Sequence, residues 1–238
     1  MKPTTKLSST QSPDGSELGL YQHDKDFFIT VNREQLMSSR EHESELELAR
    51  LACERLADRR EPTVLIGGLG MGYTLRQTLD ILQPNAKVIV AELMPEIVRW
   101  NRDIIGHLTN HPLRDKRVTV KTVDVALVMA QAPHQFDAVM LDVDNGPEAM
   151  TNSSNTRLYS KSGIQGCFRS LHAKGCLAVW SASKDISYEK RLRREKLHVR
   201  AFHVAKRKGG KSCPRCIWVA SNTRSSLPEY PEPRFTRD

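Results

Sequence analysis

The sequence Gly67-Gly68-Leu69-Gly70-Met71-Gly72 falls where an apolar run at 63–66 gives way to an amphipathic stretch beginning near Gly72. Glycines at a strand-to-helix turn permit positive φ and let the backbone approach a ligand closely, while the helix beyond offers N–H groups without intrahelical partners. A small molecule with a sugar and a carboxylate or phosphate suits such a turn, although a purely structural tight turn uses the same residues. Glu92 ends the next apolar run, about 20 residues on. There a carboxylate can accept from both hydroxyls of a ribose, or stand as an ordinary surface acid. Asp124 ends a third run, in Thr122-Val123-Asp124-Val125. It could accept from an adenine amino group or equally cap the helix that follows.

A fourth run delivers Leu141-Asp142-Val143-Asp144-Asn145-Gly146-Pro147. Two carboxylates arriving together at a strand end suit an acceptor group that is cationic or must lose a proton, and burial or a like charge raises a carboxylate pKa toward neutrality. Asp142 is the better placed to orient or deprotonate an amine. Asp-Asn-Gly-Pro is also a turn sequence, so Asp144 can serve the turn alone. Tyr159, further along, could wall the same pocket or pack a helix.

These residues need a scaffold that collects strand ends on one edge. Strand patterns recur at 64–67, 87–92, 118–123, 138–142, 176–181, 199–204 and 217–220, with helical patterns at 72–82, 95–107, 125–131, 156–173 and 184–195 between them. Nearly continuous Val, Ile, Leu and Ala flanked by amphipathic helices predict an α/β, doubly wound, mostly parallel seven-stranded sheet covered on both faces. The final two strands have only a basic turn between them, so the last should run antiparallel. Before this Rossmann-like unit, at 62–221, residues 17–61 read as a small hairpin and a helix. Residues 1–16 read as a flexible tail and 222–238 as a second tail.

Apolar residues make up 39% and charged residues 27% of the 238, enough to bury a core and too mixed for a disordered chain. The net charge of +8 admits an anionic partner. However, the excess lies in Lys190–Arg194 and Lys206–Lys211 without aromatics between, which reads as solvated surface more than a nucleic-acid footprint. Five scattered cysteines and no apolar leader predict reduced thiols and a cytoplasmic protein, and no apolar run approaches the roughly 20 residues that span a bilayer. Cys213-Pro214-Arg215-Cys216 is half of a zinc site at most, so no metal is expected. The N-terminal hairpin could pair across a two-fold axis, giving a homodimer.

The predicted sheet with its antiparallel last hairpin resembles that of class I S-adenosylmethionine-dependent methyltransferases. Within that fold, VLIGGLGMG, VAELMPEIV, VDVALVM, FDAVMLDVDNGP and RLYSKSG resemble spermidine synthase and its relatives. The resemblance implies that Gly68, Glu92 and Asp124 hold the nucleoside of decarboxylated S-adenosylmethionine and that Asp142 acts on the amine; the rest of the turn, Gly67, Gly70 and Gly72, is expected to bind the same donor or whole S-adenosylmethionine. The chain departs from the family at Gly70, where an Asp usually receives the aminopropyl amine. It departs again at Glu41-His42-Glu43-Ser44, where a Tyr-x-Glu-Met stretch is usual. With that counter-charge missing, methyl transfer to an amine-type acceptor is expected first. Aminopropyl transfer is the alternative, and a non-catalytic nucleoside-binding module with an RNA or protein partner is the second alternative.

Overall fold

The computed structural model describes residues 3–12, 15–143, 157–204 and 215–229. At the N-terminus, β1 (Thr5–Gln11), β2 (Glu17–His23), β3 (Asp26–Val31) and β4 (Glu34–Ser38) form an antiparallel meander in that order. The period-2 pattern decides which face is covered: Leu18 and Leu20 of β2, with Phe27, Ile29 and Val31 of β3, point into the core. The antiparallel pairing expected here is present, with a further strand on each side. The expectation of a loose tail through residue 16 is corrected for Thr5–Gln11, which pairs with β2 from Thr5↔Gln22 to Gln11↔Glu17. Composition registers only side-chain burial. An edge strand with one large apolar residue, Leu7, is held instead by backbone hydrogen bonds, here with a Lys6–Glu17 ion pair at 2.6 Å beside them.

The second sheet has seven strands: β5 (Thr63–Gly67), β6 (Lys87–Ala91), β7 (Val118–Lys121), β8 (Phe136–Leu141), β9 (Leu171–Ser181), β10 (His198–Val204) and β11 (Arg215–Ser221). Their order is β10-β11-β9-β8-β5-β6-β7, and β11 lies antiparallel between β9 and β10. The chain leaves β5 toward β6 and β7, then returns to its other side with β8. The carboxyl end of β5 is therefore the switch point at which open α/β sheets bind ligands.

Alternate residues of the strands supply two cores. Val64, Ile66, Val88, Val90, Ala138 and Met140 face the N-terminal sheet and the helices α1 (Glu43–Cys53), α2 (Tyr73–Ile81) and α3 (Pro95–Asp103). Leu65, Val139, Leu141, Leu177, Val179 and Trp218 face α4 (Val125–Ala130), α5 (Lys161–Ser170) and α6 (Ile186–Arg194). Every residue of β8 is buried, as a strand covered on both faces requires.

Helix α1 crosses the first face from the switch point to the opposite end of the strands. Beyond its C-terminus, Arg55 Nη2 donates to the Asp137 carbonyl at 2.6 Å, and Arg59 pairs with the Asp137 carboxylate at 2.7 Å. The other carboxylate oxygen of Asp137 accepts from the Thr63 N–H at 2.9 Å. These three contacts fix the end of α1 to β5 and β8.

Candidate functional site

The glycine turn has the geometry that its residue types predict. Gly68, Gly70 and Gly72 have φ of +90°, +51° and +85°, values that other residues adopt only with strain. A Cβ at Gly68 would collide with the Asp142 carbonyl, so the turn packs directly on the end of β8. A Cβ at Gly70 would lie 2.7 Å from Sδ and Cε of Met37, because the N-terminal sheet roofs the turn at that point. Gly72 forms the N-terminal cap position of α2, and Asn101 Nδ2 donates to the Gly70 carbonyl at 2.8 Å.

Glu92 is 8% exposed, and its two oxygens accept from the Leu69 N–H and the Met94 N–H, each at 2.8 Å. It therefore ties the glycine turn to the strand beside it. Asp124 is exposed and accepts from the Ala126 N–H at 2.8 Å, so it does cap α4. It also faces the cavity described below.

Asp142 leaves the end of β8 and accepts from Thr74 Oγ1 at 2.6 Å. Burial pushes its carboxyl up to about 6, with the Thr74 hydroxyl acting against that shift. Facing it from α1 is Glu45, 6% exposed, whose carboxylate accepts from Ser44 Oγ at 2.5 Å. Burial first, and the Asp142 charge second, push Glu45 up to about 7. The two acids repel across a desolvated gap and titrate as a pair. Thr74 packs between the two elements: its one hydroxyl proton goes to Asp142, and the same oxygen lies 3.5 Å from the Glu45 backbone carbonyl. On the far side stands Arg215 of β11, which stacks over Trp180 at 5.3 Å and donates to the Ala182 carbonyl at 3.2 Å. Burial lowers its pKa, while Glu45 and Glu41 oppose that effect.

One cavity of about 240 Å³ joins these groups. At one end lie Glu92, Leu93, Met94, Val123, Asp124 and Val125, two carboxylates beside an apolar wall. At the other lie Glu41, Glu45, Asp142, Trp180 and Arg215, and Gly68 and Gly70 run between the two ends under Met37.

The structure thus brings together five of the residues singled out from sequence: Gly68, Gly70, Glu92, Asp124 and Asp142. Gly67 and Gly72 shape the turn without lining the cavity. Asp144 lies outside the described residues, as does Cys213, while Cys216 is buried within β11. Tyr159 is corrected: it is 1% exposed, packs edge-on against Tyr188 at 5.5 Å and donates to the Val143 carbonyl at 3.4 Å. Its ring is drawn into the second core, and among the described residues of that stretch Leu158 reaches the cavity instead.

Glu45, Thr74, Met37 and Arg215 were not found from the sequence. Glu45 did carry a signal. It precedes Leu48, Ala49 and Ala52 by three, four and seven residues, which places a carboxylate on the buried stripe of α1.

Sheet order, switch-point cavity and glycine turn define an α/β protein of the class I methyltransferase-like fold. Residues 49–207 match the family model described as the spermine/spermidine synthase domain, which is more than half of the chain. The chain belongs to the spermine/spermidine synthase family, a family of transferases. A polyamine aminopropyltransferase of Saccharolobus solfataricus is 23% identical over 127 residues, 53% of this chain and 41% of that relative. The matched segment thus spans less than half of the relative's length. A spermidine synthase in complex with the transition-state analogue AdoDATO superposes with a TM-score of 0.73 at 17% identity, covering 94% of this chain and 75% of the other. The spermidine synthase of Thermotoga maritima gives 0.73 at 17%, covering 94% and 76%. A probable spermidine synthase of Corynebacterium glutamicum gives 0.65 at 18%, covering 94% and 81%. At these identities the likeness establishes the fold. No helix among the described residues is long and apolar enough to cross a membrane.

Proposed function

We propose that the protein transfers an aminopropyl group from decarboxylated S-adenosylmethionine to an amine acceptor. The observation that carries this reading is the single cavity that joins the glycine turn to the buried acids Asp142 and Glu45. Family membership and the aminopropyltransferase relative favour aminopropyl transfer over the methyl transfer that the sequence puts first.

The residues fit such a donor. Leu93, Val123 and Val125 offer a wall for a flat base, Asp124 a carboxylate for its amino group, and Glu92 a carboxylate at the position suited to the ribose. When bound, the sulfonium supplies an already activated carbon, so the protein's own work is alignment and proton removal. Asp142 does the second. Lying where a bound acceptor would meet the donor, it holds the amine by charge and takes up its proton. Thr74 fixes the carboxylate for that role through its 2.6 Å bond.

One observation favours a second reading. Gly70 brings no acid to the turn, and Met37 covers the position. Whole S-adenosylmethionine, whose carboxylate could be received by backbone N–H groups, is then the competing donor, with methyl transfer as the reaction.

Calorimetric titration with S-adenosylmethionine, decarboxylated S-adenosylmethionine and S-adenosylhomocysteine side by side separates the two. The decarboxylated donor should bind at least tenfold more tightly. Preference for the carboxylate-bearing ligands moves the protein to methyl transfer, and absence of binding to all three removes the enzyme reading.

A further inference from the structure

Two groups at the end of the cavity proposed for the acceptor are of no use in holding an amine. Arg215 and Trp180 both line that end, and the guanidinium lies over the indole ring, 5.3 Å from its centroid. Both side chains donate hydrogen bonds and accept none. An ammonium is likewise a donor only, so a ligand made of amines alone leaves both without a complement. One N–H of Arg215 goes to the Ala182 carbonyl at 3.2 Å, and the rest of the fork is not occupied by that bond. The indole N–H of Trp180 is buried and has no hydrogen-bond partner among the described residues. A buried donor left unpaired is destabilising, and an oxygen supplied by a ligand would relieve it.

Neutralising the acids does not account for Arg215. Glu45 and Glu41 reach it by charge, yet among the described residues it forms no ion pair. Arg59, Arg117 and Arg191, by contrast, close on aspartates at 2.7, 2.8 and 3.5 Å. The Trp180 ring and the Ala182 carbonyl instead hold the guanidinium in place. A planar fork fixed in advance suits a carboxylate, which it can meet with two parallel hydrogen bonds.

We propose that Arg215 and Trp180 form an anion subsite, and that the acceptor is an amine that also bears a carboxylate. This rests on the reading of the cavity as an amine-transfer site. The distribution of charge agrees with it. Glu41, Glu45 and Asp142 share that end with Arg215, so the end complements a ligand carrying both signs, its nitrogen toward the acids and its carboxylate toward the fork. A phosphate, more highly charged, would be repelled by the three acids. Discrimination follows from the same inventory: an amine without the carboxylate leaves two donors unpaired, and that penalty rejects it.

The test uses the whole chain and probes that differ by one group. The compound 2,5-diaminopentanoate is 1,4-diaminobutane with a carboxylate added beside one nitrogen, and 4-aminobutanoate carries one amine and one carboxylate. Binding of each is measured by calorimetry, and transfer from decarboxylated S-adenosylmethionine is followed separately. Wild type should bind 2,5-diaminopentanoate at least tenfold more tightly than 1,4-diaminobutane. Arg215→Gln should bring those two within about twofold of each other, weaken 4-aminobutanoate at least tenfold and leave affinity for the donor within about twofold. Arg215→Lys, which keeps the charge without the fork, should recover part of the preference. Trp180→Phe, which keeps a ring and removes the N–H, should lower it by about threefold. Wild type that binds neither carboxylate-bearing probe more tightly than 1,4-diaminobutane overturns the proposal, and transfer to the diamine in that case leaves the transferase reading standing. A preference unchanged in Arg215→Gln overturns it as well. If wild type transfers to none of the probes but prefers 2,5-diaminopentanoate in a manner lost in Arg215→Gln, the transferase reading falls and the anion subsite stands.

Discussion

The two ends of the cavity are built differently. The end proposed for the nucleoside comes from consecutive strand-to-helix turns, each supplying its residue at the carboxyl end of its own strand: glycines after β5, Glu92 after β6 and Asp124 after β7. The end proposed for the acceptor is gathered from distant parts of the chain, with Glu45 on α1, Thr74 on α2, Asp142 after β8 and Arg215 on β11. One end is local in sequence and carried by backbone geometry. The other is non-local and carried by side-chain electrostatics. Substitutions should accordingly separate binding of the donor from chemistry on the acceptor.

The sharpest separation is expected at Asp142. Asp142→Asn removes the charge and the proton acceptor while keeping shape, and should cut turnover by about 100-fold, within the usual range for general-base removal. Donor affinity in the same variant, measured by titration, should change less than about twofold. Unchanged turnover would remove Asp142 from the chemistry and leave the two ends indistinguishable.

A smaller effect is expected at Gly70, where the donor turn meets the N-terminal sheet. Gly70→Ala forces a Cβ into φ +51° and against Met37 at 2.7 Å. Left-handed backbone alone costs an alanine about 1–2 kcal/mol. Thermal melting should fall by about 2 to 8 °C, and adding Met37→Ala should return part of it. No recovery would mean that the sheet does not bear on the turn.

The smallest effect belongs to Asp124→Ala. Loss of the cap on α4 costs about 1 kcal/mol, and donor affinity should drop by less than tenfold with turnover at saturating donor unchanged. A large loss of turnover would join the two ends and break the comparison.

The same division explains what could be read from the sequence. All seven strands of the large sheet were legible because each is a short apolar run bounded by turn residues, and their alternation with helices fixes a parallel sheet. The glycine turn, Glu92, Asp124 and Asp142 were legible because each lies next to the strand that places it. Glu45 and Arg215 were not, since their places in the cavity arise from groups distant in sequence, Asp142 facing Glu45 and Glu45 facing Arg215. Strand β1 was missed for a related reason: its order comes from pairing with β2, a property of the partner rather than of Thr5–Gln11. Tyr159 failed in the other direction, because a helix-start tyrosine can turn to the pocket or to the core, and here it packs on Tyr188, which in turn packs on Trp218.

Helix α1 is anchored at one end and faces the cavity at the other. Arg55 and Arg59 clamp the chain just past its C-terminus to Asp137, while Glu45, in its first turn, looks into the cavity. Eleven residues at about 1.5 Å each make a strut of roughly 16 Å. A tilt of about 5° about the clamped end moves the free end by about 1.4 Å, a displacement large enough to matter for in-line transfer. The distance between the two carboxylates is therefore set by a lever whose fulcrum lies at the opposite edge of the sheet.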